Sequence, residues 1–244
     1  MKLLCLDLST KTGWSILEDG KLLTYGLITH KVDGDNTSEN YPRNYINTAT
    51  LIAIGIKIVL LDHRPDFIII EETNSGRNRF SQKTLEFIHF AVNEMFYSIR
   101  TTSKVHYLDT SEWRSLLGIS LSTEDRQLNK EIKSKRKEVY SQIYNQLEKD
   151  YQVSLNMRLA KCLNKREQNK IKKLFSKELD KMVKEKMRGF RVKDESKKVV
   201  GKVDFKTLSV EYVNQHFNLS FKKKDNDIAD SICLGLAFFK KFPQ

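Results

Sequence analysis

The sequence predicts an α/β protein: a mixed sheet flanked by helices, interrupted by a long, basic, mainly helical insertion. Three observations lead there. Residues 1–30 read as a meander of strands, short apolar runs then alternate with segments of helical period, and residues 121–200 carry no proline and a single glycine, Gly189. The expected organisation is therefore a core made of residues 1–120 and 201–244, with residues 121–200 inserted into it.

Taken in order, Leu3 to Leu8 is a short apolar strand. Thr12-Gly13 predicts a turn, Trp14 to Leu17 a second strand, and Glu18-Asp19-Gly20-Lys21 a hairpin turn into Leu22 to Thr29. Residues 31–42 are polar, contain Gly34 and Pro42, and read as a loop. Tyr45 to Leu61 repeats apolar residues at helical spacing until Pro65-Asp66, and Phe67 to Ile70 suits a central buried strand. Ser81 to Ile99 predicts a helix with Ser81 as its N-cap and Leu85, Ile88, Val92, Met95 and Ile99 on one face. Lys104 to Leu108 is the next strand. In the insertion, Ile132, Val139, Ile143 and Leu147 form one thin stripe, and Ile171, Leu174, Leu179 and Met182 form another, which predicts two helices in a hairpin or arm. Residues 207–216 and 226–239 read as short helices returning to the core.

Charge divides the chain in the same place. Of the net +12, residues 121–200 supply +11, with 23 Lys+Arg against 12 Asp+Glu, while the remainder holds 20 against 19. So basic a block beside a near-neutral remainder suits a polyanionic partner, although a solvated helical face has the same composition. No run of about 18 apolar residues occurs. The nearest stretch, Leu51 to Leu61, is short and broken by Lys57, so no membrane association is expected. Met1-Lys2 leads into an apolar stretch that meets Asp7 too soon for a signal peptide. Cys5, Cys162 and Cys233 are far apart and odd in number, which fits reduced thiols and a cytoplasmic location.

Three segments carry carboxylates where apolar surroundings make them costly. Asp7 lies inside an apolar strand, Glu71-Glu72 ends another, and Asp227 and Asp230 stand three apart on a predicted helix, about 5–6 Å from each other at Cβ. Singly, each has an ordinary explanation: a turn carboxylate, a strand exit, a pair favoured by the helix macrodipole. Together, such a cluster repels itself and calls for cations, and hard carboxylate oxygens suit Mg²⁺ or Mn²⁺. Two such ions about 3.5–4 Å apart would serve phosphodiester hydrolysis.

The segments "DLSTKTGWSI", "PDFIIIEE" and "DNDIADSICLG", in that order, resemble the three catalytic motifs of RuvC-type Holliday junction resolvases, phage-encoded members especially. "SEWRSLLGI" at 111–119 is similar to the strand-to-loop stretch that follows the second motif's helix in that family. The resemblance covers about residues 1–119 and 202–239. It implies an RNase H-like fold and a homodimer that nicks branched DNA symmetrically, with two Mg²⁺ or Mn²⁺ ions per site held by Asp7, Glu71, Asp227 and Asp230. Glu72 is the alternative to Glu71, and Asp225 competes with Asp227. Two departures stand out: the insertion is far longer than the matching link of bacterial members, and Asn74 stands where those carry an aromatic, with Phe80 the next one.

Candidate nucleic-acid contacts follow Glu71 directly. In "NSGRNRFSQK", Gly76 permits close backbone approach, and Arg77, Arg79 and Lys83 supply charge. Arg114 is a further candidate by family position, with Trp113 beside it read as core. Lys202 and Lys206 resemble family lysines near the active site, and Lys222-Lys223-Lys224 is either a solvated face or a phosphate rail. Two other classes compete. Residues 4–23 also resemble the first phosphate loop of actin-like sugar kinases, but those need a second glycine-rich phosphate loop and an adenosine motif, and neither is found in this chain of ten glycines. A non-catalytic junction-binding protein would explain the basic insertion and leave the ordered carboxylates without a role.

Overall fold

The computed structural model describes residues 1–30, 40–72, 79–162, 164–193 and 199–243. Five strands form one sheet: β1 (Lys2–Asp7), β2 (Lys11–Glu18), β3 (Lys21–Thr29), β4 (Phe67–Glu71) and β5 (Lys104–Leu108), in the order β3-β2-β1-β4-β5. The meander pairs antiparallel, and β4 and β5 continue from β1 in parallel. This is the mixed sheet that the sequence predicts, with helices on both faces. β1 lies at the centre of the sheet, which is why Leu3, Leu4, Cys5 and Leu6 are all fully buried.

The side-chain period of two sorts each central strand between two layers. Leu3, Cys5, Leu17 and Ile69 face a layer built by α3 (Thr110–Leu117), α6 (Phe205–Phe217) and α7 (Asn226–Lys241). Leu4, Leu6, Ile16, Ile68 and Ile70 face α1 (Arg43–His63) and α2 (Arg79–Ser98). Each such side chain stabilises by about 1.5–3 kcal/mol when fully buried, which offsets the cost of charges at the strand ends. α7 is apolar nearly all round, with Ala229 to Phe238 buried without interruption, because it lies between the sheet and the other two helices.

Several local expectations change. Thr12 and Gly13 are not a turn but lie inside β2, paired with Ile28 and Leu27. The turn falls earlier, where the Thr12 hydroxyl donates to the Ser9 carbonyl and the Ser9 amide donates back to it. The second turn is as expected, with Asp19 and Gly20 both at positive φ, 49° and 79°, as a two-residue hairpin loop needs. Of the expected loop at 31–42, residues 31–39 lie outside the described residues. Ser81 does not cap α2, which begins at Arg79. α1 extends beyond the expected helix at both ends and is long and apolar enough, by length and composition, to cross a membrane. Here half of it is buried, with Ala49, Ile52, Ile56 and Leu60 packed on the sheet.

The chain divides into two compact units, Met1–Ser120 with Asp204–Gln244, and Leu121–Val203. The second unit is an antiparallel helix pair, α4 (Thr123–Ala160) and α5 (Lys165–Lys186). α4 starts with a capping box between Ser122 and Asp125, and Asn164 caps α5 through the Glu167 amide. Its core is small: Leu147, Phe175, Leu179 and Val183. Leu174, expected on the buried stripe, is 49% exposed, because the α5 seam runs through residues 175, 179 and 183 instead. Tyr140 donates to Asp180 across the pair at 2.7 Å, and Arg158 bridges to Glu178 at 3.1 Å.

Leu179→Ala should therefore cost the second unit about 2–5 kcal/mol. α4 and α5 supply 60 of the 138 residues in the described α-helices, so circular dichroism senses their loss, whereas Trp14 and Trp113 both lie in the first unit and report on it alone. A thermal melt should show an earlier loss of helicity. A helicity transition that stays where it was would remove these side chains from the hairpin's core.

Candidate active site

Parity in the sheet decides which acidic residues meet. Asp7 follows Leu3 and Cys5 onto the α7 face, and Glu71 follows Phe67 and Ile69 onto the same face. The register Leu3↔Phe67 to Leu6↔Ile70, continued by one residue, sets Asp7 beside Glu71 on adjacent strands, which run about 4.8 Å apart. Glu72 is one residue out of phase and exposed; its amide donates to the Leu108 carbonyl at 2.9 Å and extends the β4–β5 ladder. Asp225 is likewise engaged elsewhere, accepting from the Lys222 amide at 2.9 Å in the 3-10 turn Lys223–Asp225 before α7.

Asp227 and Asp230 lie on the first turns of α7, which approaches the sheet unusually closely. A Cβ on Gly13 would be driven into the Asp227 carbonyl, and one on Gly235 would come within 2.7 Å of Cys5 Sγ. Glycine at 13 and 235 thus lets α7 carry its aspartates up to β1 and β2. Asp230 is 5% exposed, and its Oδ1 has no hydrogen-bond partner. Asp227 accepts from Asn226 Nδ2 at 2.5 Å and pairs with Lys206 Nζ at 3.8 Å.

The electrostatics record the crowding. Burial first, and then the charges of Glu71, Asp230 and Asp227, hold the Asp7 carboxyl well above the ordinary carboxylate range, with Lys206 pulling the other way. Asp230 is pushed up to about 6, by burial and by Glu71; the Ser209 hydroxyl, Arg114 and Lys206 oppose the shift. Glu71 accepts a hydrogen bond from the hydroxyl of Thr110, the first residue of α3, whose N-terminus is capped by Asp109. Among the described residues, no three such groups are already drawn together at metal-ligating spacing. The donor set nevertheless fits a hard divalent cation: carboxylate oxygens only, mutual repulsion that a cation would relieve, and one buried oxygen with no partner.

The other expected site residues are dispersed. Lys206 joins the carboxylates from α6. Arg114 lies with its guanidinium carbon 4.8 Å from the ring centroids of both Trp113 and Phe205, and its Nε is buried without a partner. It is a cation held by two aromatic rings, and its charge lowers the Asp230 carboxyl. Trp113 is fully buried, as expected. Arg79 and Lys83 are exposed on the first turns of α2, Lys83 with its Nζ 4.9 Å from the Tyr41 ring centroid. Arg77, Asn74 and Gly76 lie outside the described residues. Lys202 is exposed and belongs to the second unit. Lys223 pairs with Asp204 at 2.7 Å. Thr110 and Gly13 escaped the sequence reading. The phase of apolar residues in β1 and β4 would have separated Glu71 from Glu72, whereas nothing near Thr110 announces its partner.

No family model matches the chain, and no curated protein matches it in sequence. Among solved structures it is similar to Thermus thermophilus RuvC in complex with a Holliday junction substrate, at 14% identity over 48% of this chain and 69% of that one, TM-score 0.40. It is similar to a second Thermus thermophilus RuvC structure at 16% identity over the same shares, TM-score 0.39. It is also similar to the yeast mitochondrial Holliday junction resolvase Ydc2, at 12% identity over 98% of this chain and 80% of that one, TM-score 0.40.

The raised Asp230 value makes stability depend on pH. Between the ordinary value of 3.8 and about 6 the folded chain holds a proton that the unfolded chain has released. The stabilisation is thus complete below 3.8 and is lost as the pH rises through about 6, a difference of about 3 kcal/mol. In chelator, Asp230→Asn should raise the melting temperature at neutral pH and flatten its fall through the window from 3.8 to about 6. Equal destabilisation by Asp230→Asn on both sides of that window would contradict the crowding.

Proposed function

We propose that this chain is a divalent-metal-dependent endonuclease of the RuvC type that cuts branched DNA, four-way junctions first and forks or three-way junctions as well. The observation that carries the reading is the convergence of Asp7, Glu71, Asp227 and Asp230, from three distant segments, on one face at the end of the sheet. Support for the substrate class comes from the order of the three motifs and from the basic block at 121–200.

Those four carboxylates would hold Mg²⁺ or Mn²⁺, two ions per site in this reading, which when bound supplies Lewis acidity to a phosphodiester and acidifies water. The protein's own groups prepare that chemistry. Thr110 fixes the orientation of Glu71 through its hydroxyl. Arg114, pinned between Trp113 and Phe205, favours the ionised form of Asp230. Lys206 is 56% exposed while its partner Asp227 is 18% exposed, so the ammonium can leave the carboxylate for an arriving phosphate. Arg77, Arg79 and Lys83 would follow the DNA backbone leading away from Glu71.

Two symmetric nicks require two sites, and a twofold homodimer supplies them. Ile46, Ile54 and Phe90 are 45%, 48% and 66% exposed around an apolar groove of about 450 Å³ between α1 and α2, a surface suited to a second copy.

The test is the purified chain with Mg²⁺ on labelled four-way junction, fork, flap and linear duplex. Paired cuts on opposite strands of the junction are expected, with much weaker cutting of duplex. Asp7→Asn, Glu71→Gln, Asp227→Asn and Asp230→Asn should each lower cleavage by orders of magnitude while junction binding holds or tightens, and Glu72→Gln should remain active. Near-normal cleavage by Asp7→Asn would defeat the metal site. Nicking of forks by a monomer that ignores four-way junctions would keep the chemistry and overturn the resolvase reading.

A further inference from the structure

The basic charge of the helical unit is not spread evenly over its surface. One concavity of about 600 Å³ is lined by Arg136, Lys137 and Tyr140 of α4 and by Lys184, Arg188 and Arg191 at and beyond the end of α5. All five cations are exposed, and no carboxylate lines the hollow. Among the described residues none of the five takes part in an ion pair. The same unit has a second concavity of similar size, about 610 Å³, and there Asp150 and Glu185 stand with Lys186. A hairpin of this composition therefore balances charge in one hollow and leaves it unbalanced in the other. Basic side chains near a helix C-terminus complement the macrodipole, which accounts for Lys184 and Arg188 singly. It does not account for Arg136 and Lys137, which lie mid-helix on α4, nor for Arg191, which lies beyond the end of α5 and its first turn.

We propose that this hollow is a clamp for the phosphodiester backbone of nucleic acid, distinct from the carboxylate site and lying wholly within the second unit. It deepens the nuclease reading and rests on it for the identity of the polyanion. Three of the five cations are arginines, whose planar forks grip phosphate oxygens in pairs. Tyr140 floors the hollow with its hydroxyl already committed to Asp180, so the cations are left as the donors that face a ligand. The surplus of +11 over residues 121–200 favours a long polyanion over a short acidic peptide.

The test uses the full chain carrying Asp7→Asn, in chelator, with a labelled 30-base-pair duplex (about three helical turns) and fluorescence anisotropy across a salt series. Arg136→Ala, Lys184→Ala and Arg188→Ala combined should weaken binding about tenfold or more, and lower the slope of log affinity on log salt by about 0.9 for each phosphate no longer neutralised. The control combines Lys165→Ala, Lys172→Ala and Lys173→Ala, which removes as much charge from exposed positions outside the hollow. An equal weakening in the control would overturn the clamp in favour of diffuse attraction, and an unchanged slope in the first variant would overturn it outright. Tighter binding of a polyglutamate peptide than of duplex would overturn it in favour of an acidic protein. As a readout without substitutions at the clamp, duplex should protect Lys137 and Lys184 from acetylation and leave Lys165 reactive; equal protection of all three would count against it. Cleavage is not measured, so the clamp can fail while the carboxylate site stands, or the reverse.

Discussion

Mutual repulsion among four carboxylates is the constraint around which the first unit is arranged. Asp7 and Glu71 are fixed by the ladder between β1 and β4, and neither can withdraw without breaking the central pair of the sheet. α7 then brings Asp227 and Asp230 onto the same face, and the close packing of that helix is what makes the crowding severe. Gly13 and Gly235 are the small residues that permit the approach. Lys206 and Arg114 offset part of the repulsion, one from the open side and one from within the aromatic packing. What they leave uncompensated appears as raised carboxyl values and as an oxygen of Asp230 with no partner.

Much of this was legible in the chain before folding, because it rests on periodicity. Buried strands announce themselves as apolar runs, and the phase of those runs determines which face a terminal carboxylate takes. The order of the strands and of the helices other than α3, the Asp19-Gly20 hairpin and the buried Trp113 follow from local signals, whereas the stretch expected to run from strand to loop at 111–119 is largely α3, started by the Asp109 cap. Residues whose role depends on a distant neighbour were not legible. Thr12-Gly13 has the composition of a turn, yet Gly13 serves as a spacer against a helix more than two hundred residues later. Arg114 reads as a surface cation until Phe205 is brought over it. Thr110 has no visible partner until β4 lies beside β5 and Glu71 comes within reach of its hydroxyl.

The helical unit obeys a different logic. Its apolar seam between α4 and α5 is thin, with four buried residues among those described, so packing constrains few of its positions and most side chains are free to carry charge. The misplacement of Leu174 shows the consequence. In a helix with so few apolar residues, several stripes fit the sequence about equally well, and tertiary packing against α4 selects the one through Phe175, Leu179 and Val183. The same freedom lets cations gather on one hollow while the neighbouring one stays mixed.

The central claim is that Asp7, Glu71, Asp227 and Asp230 form one divalent-cation centre. The most direct measurement is anomalous diffraction from crystals of the chain soaked in Mn²⁺. Peaks lying between these four carboxylates, with Asp230 Oδ1 as a ligand, are what the account predicts. Manganese bound only at other surface carboxylates, with the four side chains unshifted and Asp230 Oδ1 still unpartnered, would contradict it.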